Sequence, residues 1–183
     1  MTDFEIREDA TVEDLTDEEK EAVKDLARRV MNEGEELAEA IGVSEDYIET
    51  MEFYAHKLYQ HGKLDEAGVL VEGILALDKT RYYPYLLVGD VAMQEERWEE
   101  AVQCLGAAVN FGPEDSMLEG KLGEALLRVG RTEDAVFHLQ KAVAFAEDPD
   151  DKYRRRSEVL LNVVKEKLQD LDGEAEGSSD GDS

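Results

Sequence analysis

The sequence predicts an all-α protein, a solenoid of helix-turn-helix pairs with helical segments added at both ends. The first observation is self-similarity at a fixed period of 34 residues. Ala67, Ala101 and Ala135 form one ladder at that spacing, and Ala55, Gly89 and Gly123 form a second. Val71, Leu105 and Leu139 form a third, and Ile74, Ala108 and Ala142 a fourth. Coincident ladders at one period mark stacked supersecondary units. The second observation is that apolar residues outside the ladders also recur at helical spacing. The third is a hydrophobic content of 42%, enough to bury a core despite the charge.

The elements follow in chain order. Residues 1–15 are acidic and aperiodic and are expected to be flexible. Thr16-Asp17-Glu18-Glu19 has capping-box spacing, with Thr16 as N-cap and Glu19 reaching back. Ala22, Val23, Leu26, Ala27 and Val30 then space as a helix that Gly34 ends. A short helical piece is expected over 35–40, broken by Gly42, and Ser44 is placed as the cap of the next helix. Residues 16–43 thus read as an N-terminal helical region, serving as a cap on the first unit or as a surface for a second copy.

Residues 44–149 carry the repeat, with units at 48–81, 82–115 and 116–149. Each unit is expected to hold two antiparallel helices. Ala55, Gly89 or Gly123 lies near the middle of the first helix, where a small residue lets the second approach closely. Ala67, Ala101 or Ala135 lies early in the second. The turns between them are Gly62-Lys63, Glu96-Arg97 and Gly130-Arg131, and Pro113 falls where the second unit ends. The stretches "YAHKLYQHGKLDEA", "LLVGDVAMQEERWEEA" and "KLGEALLRVGRTEDA" resemble the tetratricopeptide repeat (TPR). One unit cannot bury its own apolar face, so a stack of three needs caps. Tyr153, Val159, Leu160, Val163, Val164, Leu168 and Leu171 space as an amphipathic capping helix over 150–171. Residues 172–183 are expected to form a disordered acidic tail.

Charge excludes several function classes. With 46 acidic and 20 basic residues, the net charge is −26. That field repels a phosphate backbone and an anionic membrane surface, so neither nucleic-acid binding nor direct membrane insertion is expected. The N-terminus has no secretory-signal pattern, and no apolar run approaches the ~20 residues of a membrane span, which points to the cytoplasm. Cys104 cannot form an internal disulfide and reads as a small hydrophobe. His56 and His61 are five apart, not the i, i+4 of a helical metal pair, and no P-loop, GxGxxG, HExxH or GxSxG occurs. No catalytic residue, metal or cofactor is expected. The basic cluster Lys152, Arg154, Arg155 and Arg156 reads as pairing locally with Glu147, Asp148, Asp150 and Asp151.

What remains is a concave groove lined by the first helix of each unit. In unit one the groove positions are Glu49, Glu52, His56, Tyr59 and Gln60. In unit two they are Tyr83, Leu86, Asp90, Met93 and Gln94, and in unit three Met117, Gly120, Glu124, Leu127 and Arg128. Glu52, His56, Tyr59, Tyr83, Leu86, Asp90, Met93, Met117 and Leu127 are the candidate peptide-binding residues, an apolar stripe among carboxylates. Aromatic and methionine side chains suit adaptable peptide pockets. Tyr83, Leu86 and Met117 suit groove or core equally well. Tyr59 suits the groove, because its hydroxyl needs water or a polar partner.

The stretch "MNEGEELAEAIGVSEDYIETMEFYAHKLYQHGKLDEAGVLVEGILALD", residues 31–78, resembles the opening of the class II chaperones of bacterial type III secretion. Gly34, the Gly42-Val43-Ser44 turn, and Tyr54, Ala55, Tyr59, Gly62, Glu66 and Ala67 match that family's pattern. The resemblance implies a bacterial cytoplasmic, non-enzymatic chaperone. Its groove would hold an extended segment of a hydrophobic secreted translocator, and it would self-associate as a homodimer through the N-terminal helical region. Tyr59 matches the motif tyrosine. Glu52 and His56 depart from the bulkier side chains common there. The alternative reading is a TPR scaffold in a multiprotein assembly, which would use the same stripe.

Overall fold

The computed structural model describes residues 16–32 and 37–177, and all regular structure among them is helical. The elements are α1 (Asp17–Asn32), α2 (Leu37–Ile41), α3 (Glu45–Gln60), α4 (Leu64–Leu77), α5 (Tyr82–Gln94), α6 (Trp98–Phe111), α7 (Ser116–Arg128), α8 (Thr132–Phe145) and α9 (Lys152–Gly177). The expected flexibility of 1–15, the stop at Gly34, the Glu19 side chain of the capping box and the final residues 178–183 lie outside the described residues. Among the described residues, no helix is long and apolar enough to cross a membrane.

Helices α3–α4, α5–α6 and α7–α8 form three antiparallel pairs, as the TPR pattern demands. The pairs are held at close range by the absence of a side chain. A β-carbon on Gly89 would sit 2.8 Å from the Leu105 side chain, and one on Gly123 would sit 2.7 Å from that of Leu139. Ala55 holds the corresponding place in the first pair and is fully buried. The apolar faces so joined form two clusters. Ala38, Ile48, Ala55, Val71, Ile74 and Leu87 make up the first. The second runs through units two and three and includes Leu86, Leu105, Leu118, Leu122 and Leu126.

The first helix of every pair ends in the same way. Gly62 N–H donates to the Tyr59 carbonyl and Lys63 N–H to that of Leu58. Glu96 and Arg97, then Gly130 and Arg131, repeat this Schellman pattern in the next units. The motif needs one residue in the left-handed region, and glycine supplies it at Gly62 (φ 72°) and Gly130 (φ 77°). Glu96 adopts the same conformation with a side chain (φ 59°). The second helices start at a cation that bonds an acid three residues on: Lys63 with Glu66, Arg97 with Glu100, Arg131 with Asp134.

Helix α3 starts at Glu45, directly after Ser44, with the Ser44 carbonyl accepting from Tyr47 and Ile48. Ser44 occupies the N-cap place, but its hydroxyl makes no capping bond. Helix α2 covers Leu37–Ile41 and contributes Ala38 to the unit-one core. The Arg29 guanidinium ties α1 to it by donating to the Ala40 carbonyl. Helix α9 continues beyond Leu171 to Gly177, where a tail was expected. Glu174, Ala175 and Glu176 are good helix formers, and Gly173 alone costs only about 1 kcal/mol.

Helix α9 docks on unit three through a capping network. The Asp151 carboxylate accepts from the amides of Tyr153 and Arg154 and from the Ser116 hydroxyl at the head of α7. The Arg154 amide, above all, holds the Asp151 carboxyl below its usual range, against the opposing effect of burial and with help from Ser116 and Tyr153. Unit three also contains a buried carboxylate, Glu119, which is bonded from α8 by the His138 imidazole and the Lys141 ammonium.

Two outcomes follow from these backbone features. Glu96→Gly removes the left-handed strain and is expected to raise stability by about 0.5–1 kcal/mol after the entropy of glycine is deducted, read from urea unfolding. Asp151→Ala is expected to cost about 1 kcal/mol at pH 7. The folded pKa of Asp151 lies below its unfolded value of about 3.9. Its contribution is therefore complete above that value and lost as pH falls through the folded pKa. The difference between variant and wild type should shrink below about pH 4, and an unchanged difference would mean the cap is not its source.

Candidate functional site

Stacking places α3, α5, α7 and the first turns of α9 side by side. Between them lies an open groove of about 530 Å³. Tyr59 of α3, Asp90, Met93 and Gln94 of α5, and Gly120, Lys121 and Glu124 of α7 contribute to it. Lys152, Tyr153, Arg156 and Ser157 of α9 form the far wall. Met93 and the rings of Tyr59 and Tyr153 supply the apolar surface. Gly120 keeps that wall close, since a β-carbon there would lie 3.2 Å from the Ser157 hydroxyl.

The charges in the groove are paired across successive units. Lys121 of α7 bonds Asp90 of α5, and Arg156 of α9 grips Glu124 of α7 with two nitrogens. The Lys152 ammonium lies 4.7 Å from the Tyr153 ring centroid, a cation–π contact. Three cations therefore face two carboxylates in a chain whose net charge is −26. The Tyr59 hydroxyl accepts from the Gln94 amide, and burial, reinforced by Asp90, pushes its pKa up. Tyr59 thus stays neutral at physiological pH, with an apolar face and one fixed polar end.

The expected site residues divide into three sets. Tyr59, Asp90 and Met93 meet in the groove. Glu52, His56 and Tyr83 lie beside it in a separate shallow hollow of about 240 Å³, with Glu49 and Phe53. There Tyr83 bonds His56 Nδ1, and burial foremost pushes the Tyr83 hydroxyl up to about 12. Burial also raises the Glu52 carboxyl, against the pull of Arg81. The third set points elsewhere. Leu86 is only 4% exposed and belongs to the core cluster, because α5 is packed by α6 on that side. This corrects its placement in the groove. Met117 and Leu127 are half-buried against the same cluster and touch neither hollow.

The wall from α9 was not expected. The sequence expectation for the basic cluster at its start is local pairing with nearby acids, with a site for an acidic partner as the alternative. Arg155 pairs locally, with Asp150, whereas Arg156 crosses to Glu124. One signal was available: Ser157 stands 34 residues after Gly123 and extends the small-residue ladder by one rung. That rung puts α9 in the register of a first helix, and the groove lining continues onto it.

No family model and no curated protein matches the chain. Solved structures do match it. A T3SS complex from Aeromonas hydrophila is 23% identical, with a TM-score of 0.66, over 78% of this chain and 96% of that one. The Yersinia enterocolitica type III secretion chaperone SycD, in complex with a peptide of the translocator YopD, is 20% identical. Its TM-score is 0.60, over 69% of this chain and 98% of that one. The first TPR of Spaghetti (RPAP3), bound to an HSP90 peptide, is 14% identical, with a TM-score of 0.58, over 69% of this chain and 97% of that one. At these identities the likeness is one of fold, and it bears out the TPR solenoid expected from the 34-residue ladders.

Proposed function

We propose that the chain is a bacterial cytoplasmic chaperone, without catalytic activity, for a hydrophobic translocator of a type III secretion system. Its groove would hold an extended segment of that client until export. The observation that carries this reading is the groove itself, about 530 Å³ and walled by one helix from each unit. It lies in a fold shared with SycD, which has been solved with a translocator peptide.

The groove chemistry suits such a segment. Met93 and the rings of Tyr59 and Tyr153 offer apolar contact without requiring one fixed shape. Gln94 and Ser157 supply polar groups for a backbone that forms no secondary structure of its own. Because Asp90–Lys121 and Glu124–Arg156 are already paired, an apolar segment that excludes water leaves neither groove carboxylate without a partner. The −26 charge over the rest of the surface keeps loaded complexes apart.

The N-terminal helical region is proposed as the site of self-association. Tyr47 is 59% exposed and Tyr54 57% on α3, with Ile41 exposed at the end of α2. A scaffold role is the second reading, and exposed apolar groups on the second helices favour it, notably Val69 (70% exposed) on α4 and Phe137 on α8.

Co-expression tests the two. A hydrophobic translocator encoded nearby should become soluble and co-purify with the wild-type chain. Met93→Asp should recover at least roughly tenfold less client, since an unpaired charge is buried against it, while a cooperative unfolding transition shows that the variant still folds, at a lower melting temperature because Met93 also packs on the core cluster. Unchanged client solubility with no co-purification overturns the chaperone reading. Client retained by Met93→Asp, with a larger assembly lost on Val69→Asp, favours the scaffold.

A further inference from the structure

Between α4 and α5 lies a second hollow, an apolar slot of about 140 Å³. Gly68 and Val71 of α4 form one side, Val88 and Val91 of α5 the other, and Leu64 stands at the rim. Tyr59 lines this slot and the main groove alike, so its ring is the partition between them. The Tyr59 hydroxyl is held on the groove side by Gln94.

The slot exists because one side chain is missing. A β-carbon on Gly68 would meet no heavy atom within 4 Å. The 34-residue register places Val102 and Val136 at the corresponding positions of units two and three. Val102 packs against the core cluster there, and Val136 is half-buried. Two units therefore fill this place with a branched aliphatic side chain of their own, and unit one leaves it open. An unfilled apolar space forfeits the dispersion contacts of its lining. Its size is close to the ~150 Å³ of an apolar cavity that accepts benzene. A polar or charged group would enter without hydrogen-bond partners and at a desolvation cost.

We infer that the slot is an anchor site for one leucine- or isoleucine-sized side chain of the segment held in the groove, and that Gly68 is the residue that makes room for it. The inference rests on the chaperone reading for its partner. The occupant's chemistry comes from this chain's own Val102 and Val136, which show what the place accepts. Its location follows from Tyr59, beside which a bound segment passes before reaching the slot. The anchor fixes the register of the segment, which the adaptable surfaces of Met93 and Tyr153 do not.

The test fills the slot as the other units do. The probe is the tightest peptide selected on the wild-type chain from a randomised dodecapeptide library, measured by calorimetry. Gly68→Val should bind it roughly ten- to a hundredfold more weakly, the loss expected when one aliphatic side chain is shut out. Its melting temperature should not fall, because the new side chain enters open space. Gly68→Ala, the milder filling, should lose less. One aliphatic residue of the peptide should cost affinity when changed to Ala on the wild-type chain and cost nothing on Gly68→Val. Equal affinity for wild type and Gly68→Val, with binding abolished by Met93→Asp, overturns the anchor and leaves the groove reading standing. Binding insensitive to both variants, or no peptide selected at all, overturns the groove reading and the anchor with it.

Discussion

The structure depends on how closely two helices can cross within a unit. In units two and three a glycine on the first helix faces a leucine on the second, Gly89 against Leu105 and Gly123 against Leu139. In unit one the corresponding residues are Ala55 and Val71, both in one buried cluster. A methyl group has been added on one side of the crossing and a methylene taken from the other. Interiors are packed densely enough that such a change is felt unless it is compensated. With the crossing fixed, the first helices of successive units align on one side of the stack and their exposed faces become a groove.

Electrostatics then works on that frame. The pairs Asp90–Lys121 and Glu124–Arg156 each join one unit to the next, so the groove's charges are also struts between its walls. The shielded Asp90–Lys121 pair is less sensitive to salt than the exposed i, i+3 pairs that start the second helices. The local excess of cations lies on α7 and α9, at the end of the groove where Asp151 and Ser116 anchor the last helix. In so acidic a chain, the groove is a place where the field is locally relieved, and an apolar segment meets no excess of negative charge there.

The helix pairs were legible in the sequence because a repeat states each requirement several times. Four ladders at one spacing identified the crossings, the turns and the second helices. The groove was legible only in part. Tyr59, Asp90 and Met93 could be placed by counting within a unit, since their faces follow from helical periodicity alone. Leu86 could not, because groove and core differ there by the rotation of α5 against α6, which depends on packing between helices. The far wall was missed for another reason. The 34-residue register was stopped at the last complete pair, although Ser157 carries it one rung further. The length of α9 past Leu171 had no apolar periodicity to announce it, and the signal there is helix propensity alone, in Glu174, Ala175 and Glu176.

The departures from the repeat are as informative as the repeat, because each unit serves as a reference for the others. Glu96 departs from glycine at a position whose backbone favours glycine, and its side chain stands exposed at a turn. That departure is local and concerns stability. Gly68 departs from valine at a position where the backbone is ordinary helix and the surroundings are apolar. A glycine there is unfavourable by helix propensity and by packing together. Both penalties fall on the free chain, and both are relieved when an aliphatic side chain arrives from outside. Ser157 departs by a hydroxyl in a ladder of alanine and glycine, and among the described residues it faces α7 at Gly120. There the small residue serves the groove, letting α9 lie against Gly120 and close the wall that completes the site.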